Sequence, residues 1–131
     1  ENTLVEKRGL RGNIIKWRRK YLKGLDGRPL HVRSIHSALN LLLQSAGALI
    51  CKKWILLLEE NLIALGLDHG KDFQYMAWVH DEVQVACRTK EIAETVVKVA
   101  QDSMRQAQDF FGFRVQLDTE GKIGRSWCDC H

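Results

Sequence analysis

The clearest periodic pattern of the chain lies in its middle, where apolar residues recur at helical spacing. Ser34 is a typical helix N-cap, and Gly66 is typical of the position just beyond a helix end. The sequence therefore predicts a helix from Ile35 to about Leu65, a rod of roughly 45 Å. Because its apolar residues spread beyond one face, we expect much of this helix to be buried.

Strand patterns are predicted on both sides of this helix. Residues 17–23 and 28–33 flank a turn rich in Gly and Asp, which indicates a β-hairpin. Residues 73–79 and 83–88 indicate a second hairpin, with residues 80–82 at or near its bend.

A second helix and a last strand follow. Thr89 can cap this helix, Gly112 ends it, and residues 113–118 have a strand pattern. Residues 1–16 have weak periodicity and predict an irregular or helical arm, with residues 17–131 as one domain. The element order predicts an α+β fold, an antiparallel sheet with the long helix and the second helix packed on one face.

Composition fits one globular domain, and the basic residues are concentrated in the amino-terminal third of the chain. The chain has 131 residues, 45% hydrophobic and 27% charged. Residues 1–33 hold ten basic and three acidic residues, a balance of +7 within a net charge of +4. Such a basic segment suits a polyanion, although a solvated basic arm explains it equally well. The strongly apolar run at residues 54–58 is too short for a bilayer, which needs about 20 residues.

The ends of the chain and its cysteines add further expectations. The absence of an initiator Met suggests a fragment or a processed product. Without a signal peptide, we expect reduced thiols in the cytoplasm, with Cys51 and Cys87 in the core. Residues 128–131 read Cys-Asp-Cys-His, like a metal-binding tail, but no second ligand pair at zinc-like spacing accompanies them.

Two adjacent carboxylates, Asp81 and Glu82, are the sharpest candidate for chemistry. Near a bend both could approach one cation, and Mg²⁺ is typically held by one or two carboxylates together with substrate phosphates. Two such ions about 4 Å apart can activate a hydroxyl and stabilise a leaving oxygen. From these two residues alone, a solvated turn is the simpler interpretation.

A polar stripe crosses the apolar long helix. His36, Asn40 and Gln44 recur every four residues, so they share one face. Their donors could contact acceptors in a DNA minor groove, or the stripe could simply face solvent. The basic residues at 18–20, beside Trp17, suit phosphate contacts or a charged edge strand.

Taken in order, these motifs resemble the family A DNA polymerases, the DNA polymerase I family. Residues 79–82 resemble motif C of that family, residues 36–47 resemble the preceding helix, and residues 124–131 resemble the family's ending. The likeness runs from about Trp17 to His131. The stretches closest to the polymerases of T-seven-type phages are residues 23–28, 31–34, 42–52, 75–82 and 117–122.

The resemblance implies a role in nucleotidyl transfer for the hairpin residues. Asp81 would be the second metal-binding aspartate of a Mg²⁺-dependent site in the polymerase palm, and Glu82 would assist it. His80 would lie near the 3′ end of the primer. These three residues are the implied catalytic residues, and Asp81 and Glu82 are the implied metal ligands.

The resemblance also implies DNA contacts. Gln44 and Asn40 would contact the minor groove of the primer-template. His36 stands where many relatives have arginine and would keep a DNA contact, and Arg33 would contact a phosphate. The implied protein is a replicative phage DNA-directed DNA polymerase of the host cytoplasm, with primer-template DNA and dNTP as partners and no membrane.

Parts of the family pattern are missing. The first metal-binding aspartate, the fingers helix, most of the thumb and the exonuclease domain lie upstream of this region in the family. We therefore expect the isolated chain to be inactive, to need the upstream polymerase portion, and to self-associate through exposed apolar residues. The alternatives are a stand-alone or remnant DNA-binding protein without catalysis and a small metal-dependent nuclease.

Overall fold

The computed structural model of the protein describes residues 4–8, 14–18 and 21–130, with side chains for 21–34 and 36–130. The chain divides into two compact units, Glu1–Leu49 and Ile50–His131. In chain order the elements are β1 (Leu4–Arg8), β2 (Ile14–Arg18), β3 (Tyr21–Lys23), β4 (Pro29–His31), a 3₁₀ turn (Ile35–Ser37), α1 (Ala38–Ala64), β5 (Phe73–Val79), β6 (Glu82–Cys87), α2 (Lys90–Phe111) and α3 (Trp127–Cys130).

The strands form three antiparallel pairs, β1 with β2, β3 with β4 and β5 with β6. This confirms the α+β class, although the single predicted sheet is divided into separate pairs. The expectation of a helical or irregular arm is wrong for β1 and β2, which pair with Leu4 opposite Arg18. The first predicted hairpin forms between β3 and β4 only, because Trp17 and Arg18 belong to β2 and pair with β1.

Both ends of the long helix are where the sequence predicts them. The Ser34 Oγ accepts the Ser37 N–H at 3.3 Å and caps the 3₁₀ turn that precedes α1. At the other end Gly66 is left-handed, with φ 81°. The Gly66 N–H donates to the Ile63 carbonyl at 2.9 Å, and the Leu67 N–H donates to the Leu62 carbonyl at 3.2 Å. These two bonds form a Schellman motif, in which a left-handed residue is favoured to be glycine.

Burial of α1 is less extensive than predicted. Its buried residues form one stripe, Cys51, Trp54, Leu58 and Leu62. Large side chains elsewhere on the helix are exposed; Leu39, for example, is 67% exposed. By length and composition alone α1 could cross a membrane, but in this structure its buried stripe belongs to the core of the second unit.

The core of the second unit joins α1 to β5 and α2. Its buried apolar residues are Leu58, Leu62, Phe73 and Val96 in one cluster and Trp54, Met104 and Ala107 in another. Two polar contacts align the helices: the Trp54 Nε1 donates to the Ala100 carbonyl at 2.8 Å, and the Asn61 Nδ2 donates to the Ser103 Oγ at 2.9 Å. The second contact satisfies a serine with no exposed surface, which would otherwise cost free energy to bury.

The termini of α2 also follow the sequence, but the strand predicted after it does not form. The Thr89 Oγ1 accepts the Ile92 N–H at 3.3 Å, and Gly112 ends the helix with φ 66°. Residues 113–118 contain no strand. No neighbouring strand pairs with them among the described residues, and the Leu117 N–H donates instead to the Gln108 Oε1 at 2.7 Å.

Two alanine substitutions in and just after α1 should shift stability in opposite directions. At Gly66, alanine must adopt the left-handed conformation, so we expect the free energy of unfolding to fall by about 1 kcal/mol. At Gly47, inside the helix, an added Cβ meets nothing within 4 Å, so we expect a gain of about 0.5–1 kcal/mol. Urea denaturation of Gly66→Ala and Gly47→Ala measures both changes. Equal effects from the two variants would contradict the assigned end of the helix.

Candidate functional site

The candidate site begins with a two-residue loop between β5 and β6. Val79 pairs with Glu82, so only His80 and Asp81 form the bend. His80 adopts a left-handed conformation with φ 56°, which is uncommon for a residue other than glycine. The Trp78 Nε1 donates to the His80 carbonyl at 2.9 Å and fixes the loop from its own strand.

A β-bulge in β5 sets which side chains lie near this loop. Tyr75 is opposite Val85 and Ala77 is opposite Gln84, which leaves Met76 as the extra residue. One extra residue in a strand moves the side chains that follow it to the opposite faces of the sheet from those that regular alternation would give. Sequence reasoning missed both the bulge and the hydrogen bond of Trp78, because no turn residue marks the position of Met76.

The two predicted metal-binding carboxylates both reach solvent. Asp81 in the loop and Glu82 at the start of β6 are exposed. The Gln84 Nε2 donates to the Glu82 Oε1 from the same face of the strand. Burial raises the pKa of the Cys51 thiol, and the carboxylate of Asp81 raises that pKa further. Asp81 is therefore close enough to α1 to act electrostatically on it.

The fit of this site to magnesium is partial. Asp81 and Glu82 offer the oxygen ligands that Mg²⁺ prefers. Within the part of the chain that the structure describes, no group of three His, Cys, Asp or Glu side chains could hold a metal ion. Two carboxylates suit a cation only when other ligands, such as substrate phosphates, complete its coordination.

The residues predicted to bind DNA lie in the first unit and are exposed. Asn40 and Gln44 are one helical turn apart on α1, and His36 lies in the preceding 3₁₀ turn. Arg33 precedes that turn and is also exposed. The stripe therefore presents its polar groups to solvent, where a ligand could reach them.

Among the described residues, the carboxy-terminal cysteines belong to no group of side chains that could hold a metal ion. Cys128 is exposed and Cys130 is half-buried, and His131 lies outside the described residues. The carboxylate of Asp129 accepts the N–H groups of Arg125 and Ser126, each at 2.9 Å. The hydroxyl and the N–H of Ser126, with the N–H of Arg125, lower the pKa of Asp129. Asp129 thus fixes the backbone of Arg125 and Ser126, the two residues that precede α3.

The proximity of Asp81 to Cys51 can be tested by thiol chemistry. Removing the charge in Asp81→Asn should lower the pKa of the Cys51 thiol, since a nearby anion disfavours the thiolate. The pH dependence of iodoacetamide alkylation, followed at Cys51 by mass spectrometry, measures this shift. Asp109→Asn, at an exposed position of α2, is the matched control. An unchanged profile in Asp81→Asn would place the loop away from α1.

Comparison with known proteins identifies the family. The family model of DNA polymerase family A matches residues 4–129. The DNA-directed DNA polymerases of Enterobacteria phage T3 and Escherichia phage T7 are 62% and 61% identical to this chain over 119 residues, 89% of its length. DNA polymerase I of Aquifex aeolicus is 32% identical over 103 residues, 79% of the chain. The chain spans 17% of the length of each of these relatives. It therefore belongs to DNA polymerase family A and is similar to a short segment of the T7-like phage polymerases.

Proposed function

We propose that this chain is the carboxy-terminal part of the palm of a phage replicative DNA-directed DNA polymerase. The observation that carries this proposal is the exposed Asp81 in the β5–β6 loop of a chain matched to the family over residues 4–129. Residues 17–131 would form the palm segment. The complete enzyme would act in the cytoplasm of the host cell on primer-template DNA and dNTP.

In this proposal the loop supplies one part of a metal site. Asp81 and Glu82 would hold Mg²⁺ together with ligands from the upstream polymerase portion. When bound, Mg²⁺ would supply Lewis-acid chemistry for nucleotidyl transfer. Their exposure supports the proposal, because a metal ligand must reach substrate phosphates. His80 would lie beside the 3′ end of the primer.

The first unit would grip DNA. Gln44 and Asn40 would donate to the minor-groove acceptors that every base pair offers, which senses the duplex without reading its sequence. His36 would extend this contact, and Arg33 would neutralise a phosphate. The exposure of all four residues and the +7 balance of residues 1–33 support this role.

The isolated chain would be inactive, because two carboxylates do not make a two-metal site. Four large apolar side chains of α1 and Leu65 just after it are more than half exposed, which supports self-association of the isolated chain; those of α1 are Leu39, Leu43, Leu56 and Ile63. The exposed polar stripe also favours a second candidate function, DNA binding without catalysis.

Complementation tests the polymerase proposal. The chain is mixed with the upstream portion of the phage T7 relative, and Mg²⁺-dependent primer extension is measured. We expect extension only from the mixture. In Asp81→Ala the rate should fall at least about 100-fold, because a metal-ion contribution of several kcal/mol is lost. Asp109→Ala removes an exposed carboxylate from α2 and should leave the rate unchanged.

Two results would count against this proposal. Extension that is insensitive to Asp81→Ala would remove the metal-binding role. An inactive mixture, together with duplex binding by the chain that weakens steeply with salt, would favour the DNA-binding alternative.

A further inference from the structure

The β-bulge at Met76 decides which way the side chain of Trp78 points. Residues opposite each other in an antiparallel pair share a face of the sheet, and so do residues two apart in one strand. Tyr75 lies opposite Val85. Trp78 lies opposite Val83. Since Val83 and Val85 are two apart in β6, these four side chains lie on one face. Without the bulge, Trp78 would lie on the face opposite to that of Tyr75.

This shared face of the β5–β6 hairpin is the one that packs on the core. Tyr75 and Val85 pack against one core cluster, and Val83 packs against the other. Trp78 and Val83 also line a cavity together with Ile55 of α1. Trp78 itself is 46% exposed. Its indole therefore lies where the core face meets solvent, at the end of the strand that leads into the loop.

The backbone of the loop has few restraints of its own. Of its two residues only His80 has a positive φ, whereas a type I′ turn needs positive φ at both central residues. In the described chain, neither His80 nor Asp81 makes a backbone–backbone hydrogen bond outside the pairing of the strands. Turn type and strand pairing therefore do not by themselves fix the orientation of Asp81.

The indole of Trp78 supplies this restraint. Its Nε1 donates to the His80 carbonyl at 2.9 Å, which is an ordinary hydrogen-bond length. That carbonyl belongs to the planar peptide group that joins His80 to Asp81. A bond to it fixes the plane from which the side chain of Asp81 begins. The indole is a rigid ring with only two side-chain torsions, so holding it in place costs little conformational entropy.

We propose that Trp78 is a positioning residue for nucleotidyl transfer, which holds the Asp81 carboxylate in place through the His80 carbonyl. This role rests on the proposed function of Asp81. The restraint runs from the core face of the hairpin, through the indole, to the peptide group before Asp81. It depends on two uncommon features together, the bulge that turns Trp78 to the core face and the left-handed His80.

Backbone NMR relaxation of the full chain tests the restraint directly. Trp78→Phe keeps an aromatic ring and removes the N–H donor. We expect the order parameters of the His80 and Asp81 amides to fall from about 0.85, the value of rigid backbone, to below about 0.6. Trp127→Phe removes an indole of similar exposure, 47%, from α3 and should leave both values unchanged.

A second replacement separates the hydrogen bond from packing. Benzothienylalanine at position 78 has the shape of tryptophan with sulfur in place of the N–H, so the contacts of the ring are kept. We expect the same loss of order in the loop as in Trp78→Phe. The amide of Val85, in the middle of β6, should keep its order in both proteins, which distinguishes a loosened loop from an unfolded hairpin.

Primer extension by the mixture with the upstream portion of the phage T7 relative tests the role in the reaction. In Trp78→Phe, kcat should fall at least about tenfold, because a misplacement of about 1 Å can cost about 100-fold. The KM for dNTP should change less than about twofold, because binding of the substrate before reaction is retained. The order parameters are measured on the chain alone, so they decide the loop restraint even where the mixture is inactive and the proposed function fails.

Three outcomes would overturn the proposal. The first is an ordered loop in both replacements of Trp78. The second is loss of order in Trp78→Phe but not with benzothienylalanine, which would assign the effect to packing. The third is a raised KM with unchanged kcat, which would make Trp78 a substrate contact, as for an indole that stacks on a nucleobase.

Discussion

Packing of α1 on Phe73 is the interaction on which the second unit depends. Leu58, Leu62 and Phe73 have at most 1% of their surface exposed, and Val96 of α2 completes their cluster. Phe73 stands at the beginning of β5, whereas Val79 at its end is 47% exposed. The β5–β6 hairpin is thus anchored at one end and solvent-accessible at the other. The loop with Asp81 therefore lies at the surface, at the end of a strand whose first residue, Phe73, is packed in the core.

The loop itself is held by local interactions. His80 takes a left-handed conformation that costs roughly 1–2 kcal/mol for a residue other than glycine. The indole of Trp78 holds the His80 carbonyl at 2.9 Å, which helps to offset that cost. A strained residue beside an exposed carboxylate is the arrangement expected where position matters more than stability. Neither the left-handed His80 nor the exposed carboxylate identifies a polymerase by itself. The family match is what connects this loop with polymerases.

Local signals in the sequence predicted much of this structure. Ser34, Gly66, Thr89 and Gly112 mark element ends because each satisfies backbone groups within a few residues of itself. The β5–β6 hairpin was predicted for the same reason. Two of the failures depend on distant partners. Residues 113–118 need a neighbouring strand, and the apolar surface of α1 needs a covering surface, which the described residues do not provide.

In the candidate site, too, local features were predicted from the sequence and features that depend on other parts of the fold were not. The sequence predicted Asp81 and Glu82 at a bend, and the structure has Asp81 in the loop and Glu82 at the start of β6. The bulge at Met76 could not be predicted because no turn residue marks its position. The electrostatic influence of Asp81 on Cys51 could not be predicted because it depends on tertiary packing. The metal and DNA roles of the site residues stay predictions that depend on the remainder of the polymerase.

Metal binding tests the central claim, that Asp81 supplies one ligand of a site completed by the upstream polymerase portion. Electron paramagnetic resonance of Mn²⁺, as a substitute for Mg²⁺, would be recorded with the chain, with the upstream portion of the phage T7 relative, and with their mixture. We expect tighter Mn²⁺ binding by the mixture than by either part, and loss of this gain in Asp81→Asn. Equal binding by the mixture with and without the Asp81 carboxylate would contradict it.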